Sequence, residues 1–291
     1  MRFINIEKLN AYLGAHMKHV ILGAGNLGKD LEHELSANGN GAILLSRSEG
    51  LNFKDLITFD TVRDLAPDCV WIAVGGGSVE EAKPTASTHE TAKYLNQTLP
   101  ITLNYDLPAT TRIIFFSTDY CADEKSPSNP ESYTSSPKSE YAKQKLEMEI
   151  KILTSNIPNR AIIRVGSLYG FHKPWRTFPG KIISNKKRPI SLPQNLVTPT
   201  PTRWLAFTLA NSLDVLFSEE GSKIHHCAPE GNVSVANWGR TILTPDEIIL
   251  RDEKNKFDKE RPEVSKLGCS FVEVDDWLDI WNIYFKKDDF T

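Results

Sequence analysis

The stretch that most restricts the fold is Gly23-Ala-Gly25-Asn-Leu-Gly28, preceded by the apolar run His19-Val-Ile-Leu22 and followed by Lys29 to Asn38, with Leu31 and Leu35 directed inward. The order is strand, glycine turn, helix. In that setting the spacing has a mechanical reason. Gly23 permits the tight turn, Gly25 lets a pyrophosphate approach the backbone, and Gly28 allows close packing of helix on strand. Asn26 and Leu27 complete the turn, and the helix N-terminus faces the anion. The stretch predicts an α/β domain with a dinucleotide-binding Rossmann sheet, doubly wound and parallel; the alternative is a tight turn without ligand.

The alternation continues downstream. Gly41 to Leu45 is a second strand, and its end carries Ser46-Arg47-Ser48 where an NAD-binding chain often has an acidic residue for the ribose 2′-hydroxyl. Arg47, with Ser48 beside it, attracts a 2′-phosphate that a carboxylate would repel, so NADP is preferred and NAD remains possible. Asp60 to Leu65 fits a short helix. Cys69 to Val74 is a buried strand running into Gly75-Gly-Gly77, where a backbone can come close to a ligand. Val79 to Asn96 is helical with an interruption at Pro84. Ile113 to Phe116 is the next strand, ending in Ser117-Thr118-Asp119-Tyr120, a polar cluster facing the same crevice, with Thr118 placed to bind a substrate carbonyl oxygen. Cys121 to Ser139, rich in Ser, Pro and Asn, is a surface loop positioned to act as a lid. Arg160 to Val165 is another buried strand.

Between the loop and that strand lies Tyr141-Ala-Lys-Gln-Lys145. On a helix, Tyr141 and Lys145 project from one face. A free phenol has a pKa of about 10, and a nearby cation favours its phenolate. The pair is a plausible proton relay on that chemistry, although two such residues on a solvated helix face also arise by chance.

The net charge of −3 gives no footprint for nucleic acid or an anionic membrane, and no apolar run is long enough to span a bilayer. Small polar metabolites are the expected partners. Cys69, Cys121, Cys227 and Cys269 form neither a CxxC pair nor a disulfide-dense pattern, which points to reduced thiols in a cytoplasmic protein. Residues 1–16 precede the ordered pattern and read as an N-terminal extension, an upstream start or a partly foreign segment, with no assigned function. Residues 17–170 form the nucleotide-binding domain. Residues 171–291, where the alternation loosens, form a smaller substrate lobe with some segments returning to the core. In that lobe Lys186-Lys-Arg188 reads as a solvated turn, with contact to a substrate diphosphate as the alternative. Adjacent His225 and His226 point to opposite faces of a strand and do not make a metal pair. Trp277, Trp281 and Phe285 share one helix face, for packing or a homodimer contact.

With these residues assembled, the chain resembles the extended short-chain dehydrogenase/reductase superfamily, and within it the dTDP-4-dehydrorhamnose reductase family. The likeness is carried by Ser117-Thr-Asp-Tyr120, Pro137, Tyr141-xxx-Lys145, Leu146 and Glu149, then by Arg164 to Gly170, Pro199-Thr-Pro-Thr202, Ile224-His-His and Arg261-Pro262. The resemblance implies that Thr118, Tyr141 and Lys145 are the catalytic set and that NADPH or NADH is the cofactor. By the same likeness Asp55 and Leu56 cap the adenine, Ala73, Val74 and Gly75 line the cofactor, and Asp119, Tyr120, Ser167 and Thr202 face a nucleotide-sugar substrate. Lys145 is expected to hold the nicotinamide ribose and lower the tyrosine pKa. The chain departs from the family at its tighter glycine turn, at Ala73-Val-Gly75 in place of Asn-Ala-Ala, and at Ser167 in place of an aromatic residue. The expected activity is reduction of a nucleotide-linked 4-keto-6-deoxysugar; the alternatives are an epimerase of the same superfamily or a non-catalytic, cofactor-binding regulatory subunit.

Overall fold

Short apolar runs rich in Val, Ile and Leu form strands that are buried on both faces, as parallel sheets require. They are β1 (Lys18–Leu22), β2 (Gly41–Leu45), β3 (Cys69–Ile72), β4 (Arg112–Thr118) and β5 (Arg160–Val165), joined by a late strand, Ile224–Cys227. The computed structural model describes residues 6–54, 56–75, 79–126, 129, 132–134, 136–185, 189–218, 223–250, 258–264 and 267–290. Its central sheet runs in the order β2, β1, β3, β4, β5 and Ile224–Cys227, parallel throughout. Alternate residues of each strand face opposite layers. Val20, Val70 and Phe115 join one core with Phe59, Met148 and Ile152, while Ile21, Trp71 and Ile114 join the other with Leu31, Leu205 and Leu209. Helices thus cover both faces, and the fold is the doubly wound α/β sheet that the glycine turn predicts.

The chain passes from β1 to β2 on one side and then crosses over to β3 on the other, so the crevice at the C-terminal ends of β1 and β3 is a topological switch point. The helix after β1, α2 (Asn26–Ala37), carries Leu27, Leu31 and Leu35 on its buried side. Of the segment ahead of Met17, the described residues 6–16 pack on this core. Helix α1 (Ile6–Leu13) lies against β2, Tyr12 is fully buried, and its hydroxyl donates to the Leu65 carbonyl at 3.1 Å. Gly41 makes that approach possible, because a Cβ there would stand 2.7 Å from the Tyr12 Cα.

Several element boundaries differ from the sequence reading. The region read as one interrupted helix is a turn, Val79–Ala82, followed by His89–Lys93, a π-helical stretch at Tyr94–Thr98 and a further helix at Leu99–Asp106. Pro100, which has no N–H to give to an intrahelical bond, sits where the π-helical stretch passes into the last piece. The helix expected from Trp204 to Phe217 divides into Thr202–Ala210 and Leu213–Leu216.

Beyond β5 the chain builds a second, smaller core from Tyr169, Ile182, Leu192, Val197, Trp238 and Trp281. Three short strand pairs frame it: Ser167–Tyr169 with Pro199–Pro201, Ile190–Leu192 with Ile248–Leu250, and Leu196–Val197 with Val233–Ser234. Trp281 stacks on Phe285 at 3.9 Å between ring centres and packs edge-on to Trp238. Helix Thr202–Ala210 and the strand Ile224–Cys227 return from this region to the sheet. Among the described residues no helix is long and apolar enough to cross a membrane.

Candidate active site

The C-terminal ends of β1, β3, β4 and β5 open into a cleft of about 1240 Å³ between the sheet and the smaller core. Sites for drug-sized ligands span roughly 300–1,000 Å³, so this one has room for two ligands side by side.

The glycine turn floors one end. Gly23 has φ of +112°, in the region that favours glycine, and a Cβ there would meet the Val74 Cα at 2.8 Å, so the loops after β1 and β3 touch at this point. A Cβ on Gly28 would lie 1.8 Å from the Gly23 carbonyl oxygen, which makes Gly28 a packing residue beneath the cleft rather than part of its wall. Gly25 differs from both. Nothing lies within 4 Å of its Cβ position, and it precedes α2 without a side-chain cap. Open space, uncapped helix N–H groups and a positive dipole end together fit a pyrophosphate. Asn26, which also lines the cleft, ties the cradle to the lobe, accepting from the Lys173 N–H at 2.6 Å and donating to its carbonyl at 3.4 Å.

At the end of β2, Arg47 begins a 3₁₀ turn, Arg47–Glu49, and stands exposed on the rim, while the Ser46 and Ser48 hydroxyls bond each other at 2.8 Å. Ala73, Val74 and Gly75 line the cleft after β3. Gly76, Gly77 and Asp55 lie outside the described residues, as does the basic run 186–188, and Leu56 begins a helix, α3 (Leu56–Asp64), with its side chain likewise outside them.

Opposite the glycine turn, β4 ends in Thr118. Its Oγ1 donates to Asp119 at 2.9 Å and accepts from the Tyr120 N–H at 3.4 Å, closing a short 3₁₀ turn, Asp119–Cys121. Ser139 caps the helix Glu140–Thr154 by accepting from the Ala142 N–H, and this helix delivers Tyr141 and Lys145 to the cleft. Tyr141 packs edge-on against Tyr120 with ring centres 5.9 Å apart. Burial, together with Cys121 and Asp119, raises the Tyr141 phenol above its ordinary value, and a hydrogen bond with Thr118 and the Arg261 charge offset only part of that.

Lys145 is also tied into the fold. Its ammonium donates to the Phe116 carbonyl at 2.9 Å, and burial lowers its pKa to about 8, with Cys121 and Glu149 acting the other way. Lys145 is therefore held by β4, and around the Tyr141 phenol desolvation outweighs the Thr118 hydrogen bond and the Arg261 charge.

Beneath these groups, Arg164 and Glu149 form a fully buried, two-pronged ion pair, with the 2.9 Å contact from Nη2 to Oε2 the shorter. Ser117 also donates to Glu149, and Arg164 reaches the Ser132 carbonyl at 2.6 Å. The pair locks the Tyr141 helix to β4 and β5.

Asp119, Tyr120, Ser167 and Thr202 all line the cleft. The Thr202 hydroxyl is committed to Asp30 on α2 at 2.6 Å, and His172 holds the other Asp30 oxygen at 3.1 Å. Thr202 thus ties the lobe to the glycine helix.

The sequence reading missed several walls of the cleft. Lys173, Arg176 and Lys181 bring three cations from the lobe, and Trp175 and Trp238 bring aromatic surface. Arg261 lies 5.3 Å over the Tyr120 ring. Only its Arg-Pro pairing signalled this position in the sequence. Asn96, in the π-helical stretch, is buried and donates to Gln144 at 3.0 Å, tying that stretch to the Tyr141 helix. Among the described residues no group of His, Cys, Asp and Glu side chains could hold a metal ion.

A sequence profile described as the RmlD substrate binding domain matches residues 17–275. The chain belongs to that family. A search of curated proteins finds no match. Among solved structures, the chain is similar to a dTDP-4-dehydrorhamnose reductase from Clostridium acetobutylicum, with a TM-score of 0.75 and 23% identity over 92% of this chain and 98% of that one. It is also similar to a dTDP-4-dehydrorhamnose reductase from Bacillus anthracis in complex with NADP, with a TM-score of 0.75, 17% identity and the same coverage. The Streptomyces venezuelae dTDP-glucose 4,6-dehydratase DesIV, with NAD bound, follows at 0.72 and 16%, covering 92% of this chain and 95% of that one. At these identities the likeness is one of fold, and it spans almost the whole of each relative.

Proposed function

We propose that this RmlD-family chain is an NAD(P)-dependent oxidoreductase that reduces the keto group of a nucleotide-linked 4-keto-6-deoxysugar, with NADPH preferred over NADH. The observation that carries the reading is the meeting, across one cleft, of an open glycine cradle with Thr118, Tyr141 and Lys145. The fold relatives include reductases of this substrate class, one holding NADP, which supports the choice of cofactor and sugar.

When bound, the nicotinamide supplies the hydride. The uncapped first turn of α2 and Gly25 hold the pyrophosphate, Ala73 to Gly75 border the nicotinamide half, and Arg47 takes the 2′-phosphate. The Tyr141 phenol gives its proton to the keto oxygen as negative charge gathers there. The phenol is protonated at neutral pH and so has a proton to give. Thr118 fixes and polarises the same oxygen. Lys145, already anchored at the end of β4, turns its remaining N–H groups to ribose hydroxyls. Tyr120 and Ser167 border the sugar, and Lys173, Arg176 and Lys181 give the lobe side a positive field for the diphosphate.

The deciding assay follows NADPH oxidation against dTDP-, GDP-, CDP- and UDP-linked 4-keto-6-deoxyhexoses, with the product's configuration determined. Stoichiometric NADPH consumption and a reduced sugar are expected with at least one. Conversion without net NADPH consumption overturns the reading in favour of an epimerase, and absence of turnover with all of them overturns it outright.

A further inference from the structure

The strand Ile224–Cys227 closes the sheet next to β5, and its free edge is bordered by the segment after Leu267. There Cys227 and Cys269 stand directly opposite each other in an antiparallel bridge. The backbone bonds flank this pair rather than join it: the Ala228 N–H donates to the Gly268 carbonyl and the Ser270 N–H to the His226 carbonyl, each at 3.0 Å. A pair flanked in this way has the closer side chains of the two antiparallel types, with Cα atoms about 4.5 Å apart. That lies within the 4.4–6.8 Å range of disulfides. Both thiols are free, Cys227 is fully buried, and Cys269 is half-buried.

We propose that Cys227 and Cys269 are a reversible dithiol–disulfide pair that takes a small-molecule disulfide such as oxidised glutathione as its oxidant and clips the C-terminal segment to the sheet edge. The division of labour follows from the environment. The Cys227 thiol hydrogen-bonds Cys269 and, with the Phe271 and Val272 backbone, lowers the Cys269 pKa to about 7, whereas burial raises Cys227. Cys269 therefore attacks and Cys227 resolves. The Cys269 thiolate forms a bond to one sulfur of glutathione disulfide as its S–S bond breaks, and one glutathione leaves and takes up a proton. Cys227 then gives up its proton and attacks the Cys269 sulfur, and the second glutathione leaves. Two thiols are oxidised to one disulfide, and one disulfide is reduced to two thiols. The loop so closed contains Asp258 and Arg261, which line the cleft, so the clip tethers the chain that carries them.

The test uses the full chain equilibrated in glutathione buffers from reduced to mostly oxidised, acid-quenched, alkylated and mapped by mass spectrometry. Oxidation is expected to remove two of the four thiols, link Cys227 to Cys269, retain no glutathione, and raise Tm by on the order of 5 °C. C227S should accumulate glutathione on Cys269, and C269S should leave Cys227 reduced. Four free thiols in the most oxidised buffer would overturn the proposal. So would glutathione retained on Cys269 of the wild type, or a link to Cys69 or Cys121. If C227S does not fold, the wild-type map and C269S decide the matter.

Discussion

Tyr141 and Lys145 share a helix face, yet burial moves each towards its uncharged form, the phenol upward and the ammonium down to about 8. Activity that needs the charged lysine should therefore fall as pH rises through about 8. This is to be read in the alkaline limb of kcat/KM, which reports the free protein. K145R should lose that limb, because arginine stays charged. Stability moves the other way. The unfolded chain keeps the Lys145 proton up to its ordinary value of about 10.5, so between those values it binds more protons than the folded one. The penalty of burying the ammonium is full below about pH 8 and is relieved as pH climbs towards 10.5. Y141F should lower kcat by roughly 10²–10⁴-fold, the usual worth of a positioned general acid, with NADPH affinity retained in fluorescence titration. Unchanged turnover would remove Tyr141 from the chemistry. R47D should weaken NADPH by about 10-fold or more, from loss of a charge-assisted phosphate contact worth about 1.5–3 kcal/mol, and leave NADH nearly unaffected. Equal losses with both cofactors would remove the 2′-phosphate role. Thr118, Tyr141 and Arg47 are legible in sequence because each sits at a strand end or helix start, where local pattern fixes its direction. Lys173, Arg176 and Arg261 reach the cleft only through tertiary packing, and no local spacing announces that.

At the scale of elements, the position of the Tyr141 helix depends on a charge pair that no solvent touches. Glu149 lies on that helix and Arg164 on β5, both with 0% exposure. Removing one charge leaves the other buried without its opposite charge, at a cost of about 3–5 kcal/mol. E149Q should lose stability by that amount in urea unfolding, and E149Q/R164M should recover part of it. If the single variant costs under about 1 kcal/mol, the pair does not anchor the helix. The same contrast between local and distant information explains which elements the sequence shows. β1, the glycine turn and α2 are readable because strand alternation, turn residues and helical spacing follow one another within twenty residues. The two-residue and three-residue strands of the lobe were not readable, since Ser167–Tyr169 pairs with Pro199–Pro201 across a long intervening stretch that holds a helix and two other short strands. The π-helical stretch around Asn96 had no signal either, because Gln144, its partner, is supplied by another helix.

At the scale of the whole molecule, the first helix belongs to the same cooperative unit as the sheet. Tyr12 shares a core with Val20, Phe59, Phe115 and Met148, which come from two strands and two helices. Composition gave no hint of this; the close approach is set by Gly41, which leaves room for the Tyr12 backbone. The helix also packs against β2, the outermost strand of the sheet. Replacing Tyr12 with Ala deletes a buried ring and orphans the Leu65 carbonyl, and should cost about 3–5 kcal/mol. Against a typical total of about 5–15 kcal/mol, that is a large fraction of stability. The expected urea unfolding of Y12A is one transition at a lower midpoint with an unchanged slope, since sheet and helix unfold together. A separate early transition that leaves NADPH binding intact would show that the first helix unfolds on its own, and the sheet would then be the cooperative unit without it.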